Sequence, residues 1–284
     1  MPLTSTSEIL KKAQANKYAV GAFNVENMEM LQAVVAAAVW AESPIIIQTT
    51  PKTVRYAEPL VFRSMAAAVA TEAPVPVAIH LDHGEDFSTV MMAIRAGYTS
   101  VMMDGSKESL PENIRLTKTV VSVCKPINVP VEGELGKVGG KEDDAGSADS
   151  SGGYTDPGEA QFFVKETGVS SLAVGVGTAH GVYAIEPKLN IPLISELRHK
   201  LSIPLVLHGA SGLADEVIIQ CIAAGISKVN FATELRIAFT QETRKILEAD
   251  KNVIDPKKFG SAARTAVKNL VINRLNLLGS VGRA

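Results

Sequence analysis

A closed (β/α)8 barrel of the TIM type, folded as one domain, is the architecture the sequence predicts, on three observations. Strand-like apolar runs recur eight times along the 284 residues. The spacing between most of their starts is that of one strand plus one helix. The later runs end in chemically loaded residues, which is how such barrels present their active groups.

The runs begin near Tyr18 (YAVGAFN), Pro44 (PIIIQTT), Val75 (VPVAIHLD), Ser100 (SVMMDGS), Val129 (VPVEGELG), Ser171 (SLAVGVGTAH), Pro204 (PLVLHGAS) and Lys228 (KVNFATE). Near-continuous apolar character marks strands covered on both faces, as parallel sheets require. Between them the period turns helical. Leu31, Val34, Val35 and Ala38 share one helix face, as do Phe87, Val90, Met91 and Ile94. Asp156-Pro157 and Asp255-Pro256 read as N-caps followed by proline at the first helical position, and Gly168 ends the first of these helices. The second runs over about 256–278. A doubly wound open sheet is the competing architecture. It focuses its site on one switch point, whereas here the loaded ends span strands three to eight.

One segment, residues 136–153 (GKVGGKEDDAGSADSSGG), lacks apolar period and follows the fifth strand. A surface excursion would have this composition. Its position at a strand's C-terminal end predicts a mobile active-site loop.

Composition bounds the function. Hydrophobic residues make up 46% and charged residues 20%, enough for a sizeable core. The net charge of −2 is interspersed, so neither a nucleic-acid nor a membrane-surface footprint shows. The longest apolar run, Ala33 to Ala41, is too short to span a bilayer, and the first residues lack an apolar leader. Cys124 and Cys221 form no disulfide framework. These features predict a cytoplasmic protein.

The chemistry lies in histidines. Val77-Ala-Ile-His-Leu-Asp-His83-Gly84, the run ending His180-Gly181 and the run ending His208-Gly209 repeat one design in a chain with five histidines. A lone buried histidine is usually a core residue; three at equivalent strand ends point to a shared metal. Imidazole suits Zn2+, and three protein ligands leave a position for substrate. His80 lines the barrel or supports the others, and His199 reads as a solvated helix face. Asp82, Asp104, Glu132 and Glu134 surround this set. Glu132 and Glu134, two apart on a strand, face the same way, either inward as ligand or base, or outward to solvent. Gly209-Ala-Ser-Gly212 and Asn230-Phe-Ala-Thr-Glu234 offer small residues and helix N-termini after strands seven and eight, a frequent phosphate position. Carbon–carbon cleavage beside a ketone needs an electron sink, which a lysine imine or a metal can supply. The sixth run contains no lysine, Lys228 opens the eighth strand away from the site, and Lys137 sits in the loop, so metal is favoured.

GAFNVEN (21–27), HLDHG (80–84), VEGELGKVGGKEDD (131–144), GTAHGVY (177–183), LHGASGL (207–213) and KVNFATELR (228–236) together resemble the class II, zinc-dependent ketose-bisphosphate aldolases along essentially the whole chain. The resemblance implies a homo-oligomeric (β/α)8 barrel, homodimer or homotetramer. It would cleave a fructose or tagatose 1,6-bisphosphate reversibly to glycerone phosphate and glyceraldehyde 3-phosphate through a zinc-stabilised enediolate.

It also implies roles. His83, His180 and His208 would bind zinc, and Asp104 and Glu134 a second or displaced metal. Asp82 would shuttle the C4 hydroxyl proton and Glu142 the C3 proton. Asn24, Gly181, Gly209, Ala210, Ser211, Asn230, Phe231, Ala232 and Thr233 would hold substrate. A monovalent cation, Na+ or K+, would sit near Ala179, Gly181 and Gly209. Gly133 stands where alanine is usual. Lys257 and Arg264 are candidates for the far phosphate. GTAHG, LHGASGL and ATEL resemble tagatose enzymes and DHG the fructose enzymes. An inositol-pathway aldolase acting on a phosphorylated keto acid, a zinc hydrolase and a non-catalytic assembly partner are the competing readings.

Overall fold

Eight apolar runs become eight parallel strands: β1 (Val20–Asn24), β2 (Ile45–Thr49), β3 (Val77–Gly84), β4 (Ser100–Met103), β5 (Val131–Leu135), β6 (Ser171–Val174), β7 (Leu205–Leu207) and β8 (Ile226–Phe231). In the computed structural model they close in sequence order, each pairing with the next and β8 returning to β1. The structure describes residues 3–140, 153–181, 183 and 187–284. Glu142 and most of the loop predicted over 136–153 lie outside the described residues.

Strand residues are buried on both faces because helices cover the outside and side chains fill the inside. On β3, Val77, Ile79 and Leu81 join the large core shared with the helices, whereas Ala78 belongs to a separate interior cluster. That inner cluster is the barrel floor. Ile9, Leu10 and Ala13 of the helix Thr6–Asn16 pack against Tyr18, Val20, Ala22, Ile46 and Ala78. Above it the interior turns polar: Thr6 donates to Ser100 (2.9 Å), and His80 Nδ1 pairs with the same hydroxyl at 2.8 Å.

The predicted caps form as the side chains dictate. Asp156 accepts the amides of Gly158 and Glu159 at 2.8 Å, opening the helix Pro157–Thr167, which Gly168 closes in the left-handed conformation. Asp255 caps the helix Pro256–Leu277, which packs against the helices Met28–Ala41 and Thr233–Ala249. Leu31, Val34, Val35 and Ala38 are all buried. The helix Phe87–Ala96 keeps Val90, Met91 and Ile94 of its predicted face against the core but departs from it at its first residue. Phe87 is exposed at its first position, and the buried stripe is Thr89, Val90 and Ala93. Gly133 leaves room for Phe163, whose ring occupies the space an alanine methyl would need.

Two expectations about strand position are corrected. His180 lies beyond the last β6 residue, Val174, in irregular chain rather than at a strand end. That chain is tied to residue 139 instead: the His180 amide donates to the Gly139 carbonyl at 2.7 Å, and the Gly139 amide to Thr178 at 3.2 Å. Lys228 is interior to β8, fully buried and inside the barrel, rather than at the strand's start away from the site.

Candidate active site and metal centre

β3 carries Asp82 and His83 to the mouth and then breaks its own regularity. Its pairing with β4 shifts register between Leu81 and Gly84, and His83 adopts φ 49°, a left-handed conformation that costs a non-glycine residue of order 1 kcal/mol or more. Gly84 permits this, because a side chain there would collide with the Met102 carbonyl of β4. The irregularity turns the imidazole toward its partners. Asp104 Oδ2 lies 2.9 Å from Nδ1, and His208 Nδ1 lies 3.0 Å from Nε2.

His83, His180 and His208 offer donor atoms within 4.8 Å of one another, and so do His83, Asp104 and Glu134. The three rings meet edge-on or tilted, with centroids 4.7 to 6.0 Å apart. Tetrahedral zinc with nitrogen ligands needs its donors about 3.3 Å apart, so small adjustments would seat it. The charge balance also fits a cation. Among the described residues, four carboxylates (Asp82, Asp104, Glu132, Glu134) converge here, and Lys228 is the one ammonium among them. Among the described residues Glu134 Oε2 is buried without a hydrogen-bond partner, 3.8 Å from His83 Nδ1 and 3.6 Å from His208 Nδ1. An orphaned carboxylate oxygen facing imidazoles is chemically a ligand position.

The electrostatics express the same crowding. Burial pushes the Glu134 carboxyl well above the usual range, and neighbouring Asp104 adds to it. Asp104 itself is held well below, because the contacts to His83 and Ser106 outweigh burial. Burial would lower the His83 pKa, but Asp82, Asp104 and Glu134 drive it well above the ordinary histidine value. A bound dication would reverse much of this logic by replacing the proton.

Asp82 is fully buried and held on both oxygens. Asn24 donates to Oδ2 at 2.9 Å and Asn230 to Oδ1 at 3.1 Å, while Gln48 donates to the Asn24 oxygen at 2.7 Å. Three strands therefore aim one carboxylate, 4.0 Å from His83 Nε2.

The chain after β6, β7 and β8, where the sequence predicts a phosphate grip, forms the other side of the mouth. Gly209 (φ 66°) passes so close to the Ala179 carbonyl that no side chain would fit. Tyr183 pins the two loops: its hydroxyl accepts from the Ala179 amide at 2.8 Å and donates to the Gly209 carbonyl at 2.7 Å. Burial pushes that phenol up to about 12. Ala210 and Ser211 follow, and the Ala232 amide donates to Ser211 Oγ at 3.2 Å, which sets the β7 loop beside Phe231, Ala232 and Thr233. The helix Thr233–Ala249 has no side-chain cap among the described residues; the Leu235 and Arg236 amides donate to the Ala232 carbonyl, so the Thr233 and Glu234 amides are the ones an anion could meet. Gly181 takes φ 104° next to His180.

The sequence leaves three contributors without a settled role: Tyr183 and Lys228 are not assigned to the site, and Glu132 is left open between inward and outward. Tyr183 sits in a motif whose histidine draws the attention. Glu132 reaches His208 Nε2 at 3.0 Å, and Lys228 reaches Glu132 at 2.8 Å. The residues proposed for the far phosphate pair elsewhere: Lys257 with Asp255 (2.8 Å) and Arg264 with Gln32 (2.7 Å). His199 is exposed on its helix, as expected.

The whole chain has known relatives. Residues 4–283 match the model of the class-II fructose-bisphosphate aldolases. The crystal structure of the YdjI aldolase from Escherichia coli K12 is 36% identical, aligns over 99% of each chain and superposes with a TM-score of 0.86. A putative fructose-1,6-biphosphate aldolase from Coccidioides immitis is 29% identical over 98% of this chain and 97% of its own, with a TM-score of 0.87. A fructose-bisphosphate aldolase from Campylobacter jejuni, 22% identical over 100% of this chain and 97% of its own, shares the fold at a TM-score of 0.84. A match across nearly every residue, on a barrel whose mouth gathers histidines and carboxylates, assigns this chain to the class-II fructose-bisphosphate aldolase family.

Proposed function

We propose that the protein reversibly cleaves a ketose 1,6-bisphosphate, fructose or tagatose, to glycerone phosphate and glyceraldehyde 3-phosphate, with Zn2+ held by His83, His180 and His208. The observation that carries this reading is the convergence of those three imidazoles beside a doubly hydrogen-bonded buried carboxylate. A bound dication supplies Lewis acidity to polarise the C2 carbonyl. Asp82 accepts the C4 hydroxyl proton as the C3–C4 bond breaks, and its electron pair passes to C3, delocalised toward the C2 oxygen. Asn24 and Asn230 fix the two Asp82 oxygens, so the carboxylate meets the hydroxyl without reorganising. Glu142 returns a proton to C3. Amides of the Gly209–Ser211 turn and the start of the helix Thr233–Ala249 grip the glycerone phosphate end, with Gly181 and Asn230 lining it.

Asp104 and Glu134, sharing His83, fit a second or displaced metal position. Carbonyl groups near Ala179, Gly181 and Gly209 suit a monovalent cation, Na+ or K+. A homodimeric or homotetrameric cytoplasmic enzyme completes the proposal; no helix among the described residues is long and apolar enough to cross a membrane. The test strips metal with a chelator, restores Zn2+ and follows triose phosphate from each bisphosphate. Metal-dependent release from one or both is expected. Absence of release from either, with Zn2+ bound, would overturn the substrate class.

A further inference from the structure

We infer that Lys228 is a positioning residue for the metal centre, acting through Glu132 to hold His208 in the orientation and tautomer that present Nδ1 to the ion; the inference rests on the metal reading above. Among the described residues Lys228 is the one fully buried lysine or arginine. Placing an ammonium inside a barrel carries a large desolvation penalty, and an apolar side chain of similar volume would serve packing as well or better. A buried ion pair of this kind therefore needs a reason beyond stability.

The contacts supply it. Lys228 Nζ donates to Glu132 Oε2 at 2.8 Å, and the Ser171 hydroxyl donates to the same oxygen at 3.3 Å. The other oxygen, Oε1, faces His208 Nε2 at 3.0 Å. A carboxylate paired with an ammonium only accepts, so the proton between Glu132 and His208 belongs to Nε2. The lone pair is then on Nδ1. That nitrogen faces the cluster, 3.0 Å from His83 Nε2 and 3.6 Å from Glu134 Oε2. The neighbouring ligand is set in the opposite sense: Asp104 takes His83 Nδ1, leaving Nε2 for the ion. Outer partners of this type orient metal-binding histidines and fix which nitrogen binds. Lys228 is two pairings from the ion and touches none of its donors, yet it decides where the Glu132 carboxylate points. The chain from β8 to β5 to β7 crosses the barrel interior, so it also holds the His208 strand end in register with the site.

The experiment uses the full-length protein stripped of metal and titrated with Zn2+ against a chromophoric chelator. Lys228→Met is expected to weaken Zn2+ binding by about 10- to 100-fold, with partial recovery in Lys228→Arg. In 15N-histidine-labelled protein, long-range 1H–15N correlations should show His208 as the Nε2–H tautomer in the wild type and a tautomer mixture in Lys228→Met. Because that variant strands a buried carboxylate, the neutral pair Lys228→Met/Glu132→Gln carries the same test in a barrel without an unpaired charge. It should fold and still bind Zn2+ about tenfold or more weakly, since a neutral amide is a poorer acceptor than a carboxylate. Wild-type affinity in the neutral pair, or an unchanged His208 tautomer in a folded Lys228→Met, would overturn the positioning role and leave a purely structural ion pair. Failure of the wild-type protein to take up Zn2+ would overturn the metal reading beneath it.

Discussion

The two ends of this barrel solve opposite problems. At the floor, Ile9, Leu10 and Ala13 enter the strand interior and meet Val20, Ala22, Ile46 and Ala78 in an apolar plug. At the mouth, His83 sits in a left-handed conformation, the β3–β4 register slips, and four carboxylates crowd three imidazoles. Apolar packing at the floor stabilises the fold. The mouth concentrates like charges and strained backbone, which only a rigid scaffold can hold in place. The lesson is a division of labour along one axis: strand starts carry stability and strand ends carry chemistry.

The largest expected effect tests the mouth. His180→Ala removes one of three proposed ligands and should lower kcat/KM by about 10³-fold or more, since a metal supplies several kcal/mol of transition-state stabilisation. Zinc content by elemental analysis should fall well below one per chain, while unfolding of the metal-free protein changes little. Unaltered zinc content would remove His180 from the ligand set.

The counterpart at the floor is Leu10→Ala. Leu10 is 1% exposed within the plug, so truncation should cost about 2–5 kcal/mol of stability in denaturant unfolding. Zn2+ affinity and kcat at low temperature should remain those of the wild type. A change in kcat as large as the change in stability would show that floor and mouth are not separable.

What the sequence disclosed follows the same axis. Eight apolar runs and their helices were legible because burial on both faces leaves an unbroken pattern. His83 and His208 were legible because each ends such a run. His180 was misplaced, since Gly-Val-Gly-Thr-Ala continues the small apolar pattern of β6 after its ladder has ended at Val174, and hydropathy does not report where hydrogen bonding stops. Glu132 was left open and Lys228 placed away from the site for another reason. A charged residue in a strand reads equally as a solvated edge or a buried pair, and only the partner across the barrel decides. Phe87 misled because periodicity cannot tell a first-turn residue at the helix rim from one facing the core.

The smallest effect probes how finely the mouth is aimed. Asn24 gives one hydrogen bond to Asp82 Oδ2 (2.9 Å) and receives one from Gln48 (2.7 Å), while Asn230 holds Oδ1 independently. Asn24→Ala leaves the carboxylate half-anchored, with Gln48 short of an acceptor. A hydrogen bond to a charged group contributes about 1.5–3 kcal/mol, so kcat should fall about 10- to 100-fold with zinc content intact. If Asp82 acts as the proton acceptor, the loss should appear in kcat more than in KM, because the contact matters most when the C4 proton moves. A loss confined to KM would mean that Asn24 holds substrate directly and that the Asp82 contact is incidental. The double variant Asn24→Ala/Asn230→Ala separates the two. Loss greater than the product of the single effects would show the two amides aiming one carboxylate together, whereas simple multiplication would assign them separate tasks.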